Sequence, residues 1–172
     1  FAFYLGSLLI TSASLAVLPF SVEAFRRQVR NWSQWQRWCL THLLGCEIVL
    51  EGGPLAEPVL YAMKHESFFE AIDTPALFDC PSVFAKQELF SIPLWGRAAA
   101  AFGLVPVERN AGARALMTMI RSAKALAADG RPLVIFPEGT RVPHGEKREL
   151  QSGFAGLYKM LGLPVVPVAV DS

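Results

Sequence analysis

His65 and Glu70 stand five residues apart, across a stretch that reads as a turn entering a helix. A neutral imidazole can take a proton from a hydroxyl, and a carboxylate on its other ring nitrogen fixes the tautomer and stabilises the imidazolium that forms. Taken alone, such a pair is more often structural than catalytic. Glu66 and Asp73 are rival partners, although Asp73 lies nearly another helical turn away and Glu66 is adjacent in sequence. A more specific signal is Phe136-Pro137-Glu138-Gly139-Thr140-Arg141, where an apolar run ends abruptly in a Pro, a carboxylate, a Gly and an Arg. Glycine lets backbone approach a ligand closely, exposed N–H groups can hold an oxyanion, and arginine can bind phosphate through two donors.

These residues follow a rule of position. Short apolar runs at Val59 to Met63, Val83 to Ala85, Leu104 to Val107, Leu133 to Phe136 and Val165 to Val170 read as strands. Lys64 and His65 follow the first, Lys86 the second, Glu108 and Arg109 the third, and Glu138 to Arg141 the fourth. Helical patterns lie between them, near Phe68 to Phe78, Ile92 to Phe102, Gly112 to Ala128 and Phe154 to Leu161. The third is the clearest, with Leu116, Ile120, Ala123 and Ala127 on one stripe, Asn110 near its start and Gly130 past its end. The alternation predicts an α/β fold with a largely parallel sheet flanked by helices. Ligands of such sheets bind outside the carboxyl ends of the strands, so the four polar groups are expected to face one cleft.

The first 45 residues have a different texture. No charged residue occurs from Phe1 to Val22, and as a helix this run would reach roughly 33 Å, near the ~30 Å of a bilayer core. It is long enough to span a membrane or to dip into one leaflet. Arg26, Arg27 and Arg30 follow the run rather than precede it, which fits a cytoplasmic flank better than a cleaved signal peptide. Phe25, Val29, Trp32, Trp35, Cys39 and Leu43 then recur at helical steps, opposite a stripe of Arg27, Arg30, Gln34 and Arg37. A helix carrying Trp rings and basic residues suits the headgroup region of a membrane. The expected division is a membrane-associated helical segment over residues 1–50 and a second domain over residues 51–172, in a chain that reads as a piece of a longer protein.

Composition narrows the classes further. The chain has 172 residues, enough for one substantial domain. Its net charge is only +1, so no global field marks a nucleic-acid binder and any anionic partner must be held locally. Hydrophobic residues make up 52% and charged ones 18%, which leans toward membrane contact. Cys39, Cys46 and Cys80 have neither a CxxC pair nor a neighbouring His cluster, and read as reduced thiols. His144, in the polar stretch Pro143 to Glu149, is expected in an exposed loop with no acidic frame, and Trp95 is expected to line the core or an apolar pocket. No phosphate-binding loop, dinucleotide fingerprint or metal-ligand spacing is present, so neither a metal nor a bound cofactor is expected.

In order along the chain, His65 with Glu70, then Gly103-Leu104-Val105-Pro106-Val107-Glu108-Arg109, then Phe136 to Arg141, then Val165-Val166-Pro167-Val168 resemble the four-motif set of the glycerolipid acyltransferases. Within that family the chain most resembles the bacterial 1-acyl-sn-glycerol-3-phosphate acyltransferases, from about Tyr61 onward. Residues 1 to 45 also fit the membrane-embedded helical pair of the family. Two departures stand out: the family's first motif is usually Asn-His, four residues and Asp, whereas here Lys64 precedes His65 and Glu70 replaces Asp. Glutamate is one methylene longer, so it can accept the imidazole N–H from a helix set slightly farther away.

The resemblance implies an enzyme in which His65 deprotonates the sn-2 hydroxyl of a lysophosphatidate and Glu70 orients His65. The donor would be acyl-CoA or acyl carrier protein, a co-substrate rather than a cofactor, and the product phosphatidate. Arg109 and Arg141 would hold the acceptor phosphate, with Lys86 as a further cation. Glu138, Gly139 and Thr140 would shape the turn and the oxyanion region, and Pro167 would line the acyl path. The implied setting is the cytoplasmic face of the cell inner membrane, with membrane lipid and lysophospholipid as partners. The same chemistry on glycerol-3-phosphate or a lyso-ornithine lipid is a narrower alternative. A catalytically silent lipid-binding module is an alternative of another class, against which the intact His65, Glu70, Glu138 and Arg141 speak.

Overall fold

The structure is a computed structural model describing residues 1–108 and 112–171. The chain divides into two compact units, one formed by Phe1–Pro54 with Ile72–Cys80 and the other by Leu55–Ala71 with Pro81–Ser172.

The first unit is built on two helices, α1 (Ala2–Val17) and α2 (Val22–Leu43). The apolar run therefore does not form one continuous rod. Pro19 lacks the N–H needed to continue α1, and Ser21 starts a new helix by accepting the Ala24 N–H at 3.1 Å. No helix among the described residues is long and apolar enough to cross a membrane. Phe1 and, on α1, Tyr4, Leu5, Leu8 and Leu9 are all exposed. On α2 the expected apolar stripe is only partly buried: Phe25 and Cys39 are, Leu43 is not, and the polar Ser33 and Gln36 lie buried beside them. A polar contact with residues 72–80 accounts for Ser33, whose hydroxyl donates to the Ile72 carbonyl at 2.7 Å. One helical turn on, Arg37 grips both carboxylate oxygens of Asp73. Asp73, a rival partner for His65 on sequence grounds, is thereby occupied.

The second unit holds a five-stranded sheet in the order β3-β2-β4-β1-β5. Its strands are β1 (Leu60–Met63), β2 (Ser82–Lys86), β3 (Val105–Val107), β4 (Leu133–Ile135) and β5 (Val165–Val168), and every pairing is parallel. Leu60 is level with Leu133 on one side and Val165 on the other, which makes β1 the strand between β4 and β5. The two edge strands each carry a proline, Pro106 on β3 and Pro167 on β5. Proline cannot donate to a ladder, so an edge is where a sheet tolerates it. Helices α3 (Phe69–Leu77), α4 (Trp95–Phe102), α5 (Ala113–Ala128) and α6 (Ser152–Leu161) fill the connections. The start of α4 is later than periodicity predicts, because Leu94 sits at φ +64 after a 3-10 turn over Gln87–Ser91.

From β3 to β4 and from β4 to β5 the chain steps the same way across the sheet. Right-handed crossovers then put α5 and α6 on one face, where Ile120, Ala123, Ala127, Leu157 and Leu161 close a core over Leu60, Val105 and Leu133. Three residues of the α5 stripe read from sequence are thus buried, with Leu116 packed against them. From β1 to β2 the chain steps the opposite way. The carboxyl ends of the neighbours β1 and β4 are therefore a switch point, the place where open α/β sheets bind ligands.

At the opposite edge of the sheet, buried Arg131 precedes β4 and donates through Nη2 to the carbonyls of Phe102 and Pro81. Those carbonyls belong to the lead-ins of β3 and β2, so one guanidinium gathers the amino ends of three strands. Gly103 makes room for it: its φ is +102, and a Cβ there would stand 1.9 Å from Arg131 Nη1. Gly103→Ala should lower stability by about 2–4 kcal/mol, from the left-handed backbone and the overpacking together. Urea denaturation of the purified protein measures this, and an unchanged midpoint would show that Arg131 can relax away.

Candidate active site

Four contacts bind the turn after β1 to the loop after β4. Lys64 Nζ donates to Glu138 Oε1 at 2.9 Å and to the Val142 carbonyl at 3.3 Å. The His65 N–H donates to Glu138 Oε2 at 3.0 Å, and the Val142 N–H returns a bond to the His65 carbonyl at 2.7 Å. Glu138 is buried with both oxygens engaged, which a carboxylate removed from water requires. The loop itself begins as a β-turn, in which Pro137 follows Phe136 and the Gly139 N–H closes onto the Phe136 carbonyl at 2.9 Å. Gly139 has φ +68, a backbone geometry that disfavours a side chain.

His65 is set on this frame. Its ring lies against Phe136 with centroids 4.4 Å apart, and Nδ1 is 2.7 Å from Glu70 Oε1. The other nitrogen, Nε2, has no hydrogen-bond partner among the described residues. Glu70 takes three further hydrogen bonds: Oε1 accepts the N–H groups of Glu66 at 2.6 Å and Ser67 at 2.9 Å, and Oε2 accepts the Ser67 hydroxyl at 3.0 Å. Ser67 Oγ in turn accepts the Phe69 N–H at 3.1 Å. Ser67-Phe68-Phe69-Glu70 is therefore a capping box that starts α3, and its carboxylate is the one that holds His65. Burial pushes the Glu70 carboxyl up, but the hydrogen bonds from His65, from the Glu70 and Ser67 N–H groups and from the Ser67 hydroxyl outweigh it and hold the group below its ordinary value.

The remaining candidates are placed as follows. Arg141 is exposed, with its guanidinium carbon 4.0 Å above the centre of the Phe68 ring. Thr140 is half-buried between Gly139 and Arg141. Lys86 ends β2, exposed and two strand spacings, roughly 10 Å, from β1. Pro167 lies on the edge strand level with Ala62. Arg109, like Asn110, lies outside the described residues. The structure thus brings His65, Glu70, Glu138 and, through Phe68, Arg141 to one place and leaves Lys86 apart. The Gly139 N–H is spent on the turn, so the N–H groups of Thr140 and Arg141, unpaired among the described residues, are the donors left in this loop.

Three features of the site lie beyond what local sequence pattern specifies. Lys64 is the counter-charge of Glu138, and Phe68 carries Arg141. His144, expected without an acidic frame, is exposed but lies 3.4 Å from the carboxylates of both Glu66 and Asp171. Glu66, the second rival partner, thus pairs with His144 rather than with His65. Trp95 is 39% exposed, meets Phe90 edge to face at 5.9 Å and so is not in the core. A cavity of about 580 Å³ lies near the carboxyl end of β3, lined by Gln87, Glu108, Arg114 and Met119 among others, and includes none of the His65 network.

A parallel α/β sheet whose switch point holds a His–carboxylate pair and a Pro-Glu-Gly-Thr-Arg loop defines a class. Residues 29–171 match the family described as Acyltransferase, and the chain belongs to it. Among its relatives, the 1-acyl-sn-glycerol-3-phosphate acyltransferase of Pseudomonas aeruginosa is 29% identical over 155 residues, covering 89% of this chain and 60% of the relative. The protein of the same name from Helicobacter pylori is 30% identical over 142 residues, covering 81% of this chain and 59% of the relative. The fold is similar to the crystal structure of the 1-acyl-sn-glycerophosphate acyltransferase PlsC from Thermotoga maritima, with a TM-score of 0.64 and 24% identity, over 96% of this chain and 66% of that one. The chain spans about three fifths of the length of the two bacterial relatives.

Because the folded state depresses the Glu70 pKa, this carboxylate adds stability that is fully present above its ordinary pKa and is lost as pH falls through the lowered value. Glu70→Gln keeps the length but removes the charge. It should cost about 0.5–2 kcal/mol at neutral pH, the usual worth of a helix cap, and the gap from the parent should close in acid. Denaturation curves across pH check this; a gap constant with pH would mean that the charge is not what stabilises.

Proposed function

We propose that this protein transfers a fatty acyl group from acyl-CoA or acyl carrier protein to the sn-2 hydroxyl of 1-acyl-glycerol-3-phosphate, giving phosphatidic acid for phospholipid synthesis. The observation that carries the reading is the His65 ring, bound at Nδ1 to a buried carboxylate and open at Nε2. With Glu70 accepting the Nδ1 proton, the basic lone pair is on Nε2. Nε2 takes the proton of the acceptor hydroxyl as its oxygen attacks the thioester carbonyl carbon. The carbonyl oxygen carries the negative charge of the tetrahedral adduct, for which the Thr140 and Arg141 N–H groups are donors. Collapse expels the thiolate, which takes the proton back from the imidazolium. Glu70 stabilises that imidazolium, and no acyl-enzyme is needed, because the thioester is already activated.

Arg141 supplies the acceptor phosphate with a bidentate partner. Arg109 and Lys86 are assigned the same task on chemistry alone, and Pro167 the acyl path. The reaction needs no metal or bound cofactor. We place the protein on the cytoplasmic face of the cell inner membrane, held by residues 1–50. The exposed leucines of α1, the exposed Trp38 and the basic Arg26, Arg27 and Arg30 support that setting.

His65→Ala should lower turnover by about two to four orders of magnitude with little change in acceptor affinity. Arg141→Ala should instead raise the Michaelis constant for the acceptor. Assay of purified protein with labelled acyl-CoA and 1-acyl-glycerol-3-phosphate separates the two effects, and near-normal transfer by His65→Ala would end the proposal. Attachment is tested by flotation with anionic vesicles. Replacing Leu5, Leu8 and Leu9 by Glu should release the protein, whereas undiminished flotation would put the contact elsewhere.

A further inference from the structure

Phe68 lies three residues after His65 and two before Glu70, inside the capping box, yet it is 64% exposed. Neither the helix cap nor the orientation of His65 uses its side chain. Its ring does have one well-defined contact: the Arg141 guanidinium carbon lies 4.0 Å over its centroid, well inside the ~6 Å reach of a cation–π interaction.

The way in which Arg141 is held matters as much as the contact. Arg37 spends donors on Asp73, and Lys64 is engaged by Glu138 and the Val142 carbonyl. Arg141 makes no hydrogen bond or ion pair among the described residues. A guanidinium stacked by its face keeps all of its N–H donors at the edge, where they can fork onto a phosphate. A carboxylate partner would have consumed some of those donors and cancelled the charge. The backbone is fixed as well, because the next residue, Val142, is buried and bonded to the His65 carbonyl at 2.7 Å. The platform and the cation therefore sit on two loops that are cross-linked at the catalytic turn.

We propose that Phe68 is a positioning residue for the acceptor's phosphate group: its ring holds the Arg141 guanidinium beside His65 with the N–H donors free. This rests on the assignment of Arg141 to the phosphate. An unsupported Arg would have to lose the rotamer freedom of a long side chain when the anion arrives, and stacking removes part of that cost beforehand. Binding of the phosphate is thereby coupled to the same turn that carries the base. Recognition of the headgroup depends on an aromatic face at residue 68, and proton transfer does not.

The test is a double-mutant cycle on the full chain in mixed detergent micelles. Phe68→Leu keeps an apolar side chain and removes the π face. It should raise the Michaelis constant for 1-acyl-glycerol-3-phosphate about three- to tenfold, with kcat within about twofold of the parent. Phe68→Tyr should restore the parent value. In an Arg141→Ala background, Phe68→Leu should add nothing further. The same ordering is expected in equilibrium binding of 1-acyl-glycerol-3-phosphate, and the phosphate-free monoacylglycerol should bind all the variants alike; this arm reads the platform even where no acyl transfer occurs. An equal rise in both backgrounds overturns the proposal, since Phe68 would then touch the lipid itself. An unchanged constant for Phe68→Leu, beside a raised one for Arg141→Ala, overturns the platform and leaves the phosphate assignment standing. If Arg141→Ala has no effect on either readout, both fall.

Discussion

The geometry of the site depends on one buried carboxylate. β1 and β4 are neighbours in the sheet, but Lys64 and Glu138 are 74 residues apart in the chain. Hydrogen bonding along the strands fixes their register only as far as Ala62 and Ile135. Beyond that level the β1–β4 ladder no longer joins the two loops, although the Lys64 N–H still bonds to the Val168 carbonyl of β5 at 2.9 Å. Glu138 joins the loops by accepting from the Lys64 ammonium with one oxygen and from the His65 backbone with the other. A buried carboxylate with only one of these partners would be costly, and with both it becomes a fixed point. The backbone of His65 is thereby held from the loop that carries Thr140 and Arg141, so the turn after β1 and the loop after β4 are tied together.

On that frame, the departures from the family's usual first motif are two halves of one arrangement. Where the motif usually has Asn, Lys64 brings a positive charge that Glu138 can use. Glu70, where the motif usually has Asp, has the extra methylene needed to reach back over the turn to the Glu66 and Ser67 N–H groups while still touching His65. The carboxylate that holds the His65 ring is then also the cap of α3. The hydrogen bonds that start the helix and the one from His65 together hold this carboxyl below its ordinary value in spite of its burial.

Much of this was legible from local pattern. The apolar runs mark all five strands to within a residue or two, and the α5 stripe marks the core face, because sheet and helix periodicity are local properties. His65 and Glu70 could be proposed as partners because only a short turn separates them, although spacing alone left Glu66 and Asp73 as rivals. What could not be read are the contacts between distant residues: Arg37 with Asp73, His144 with Glu66, Lys64 with Glu138 and Arg141 with Phe68. Each joins groups 36 or more residues apart, and periodicity carries no information about which loops meet. The burial of Ser33 and Gln36 on α2 is a failure of the same kind. The sequence pattern of the helix is apolar against polar, but part of its inner face meets the backbone and side chains of residues 72–80.

The prolines on the two outer strands have a further consequence. A sheet with open edges is a template on which another chain can add a strand. Pro106 and Pro167 sit within the edge strands and remove a donor from each. An incoming strand meets a gap in the row of N–H groups on whichever side it approaches. The residues that end the sheet thus also blunt its edges against strand addition, a form of protection that requires no additional segment.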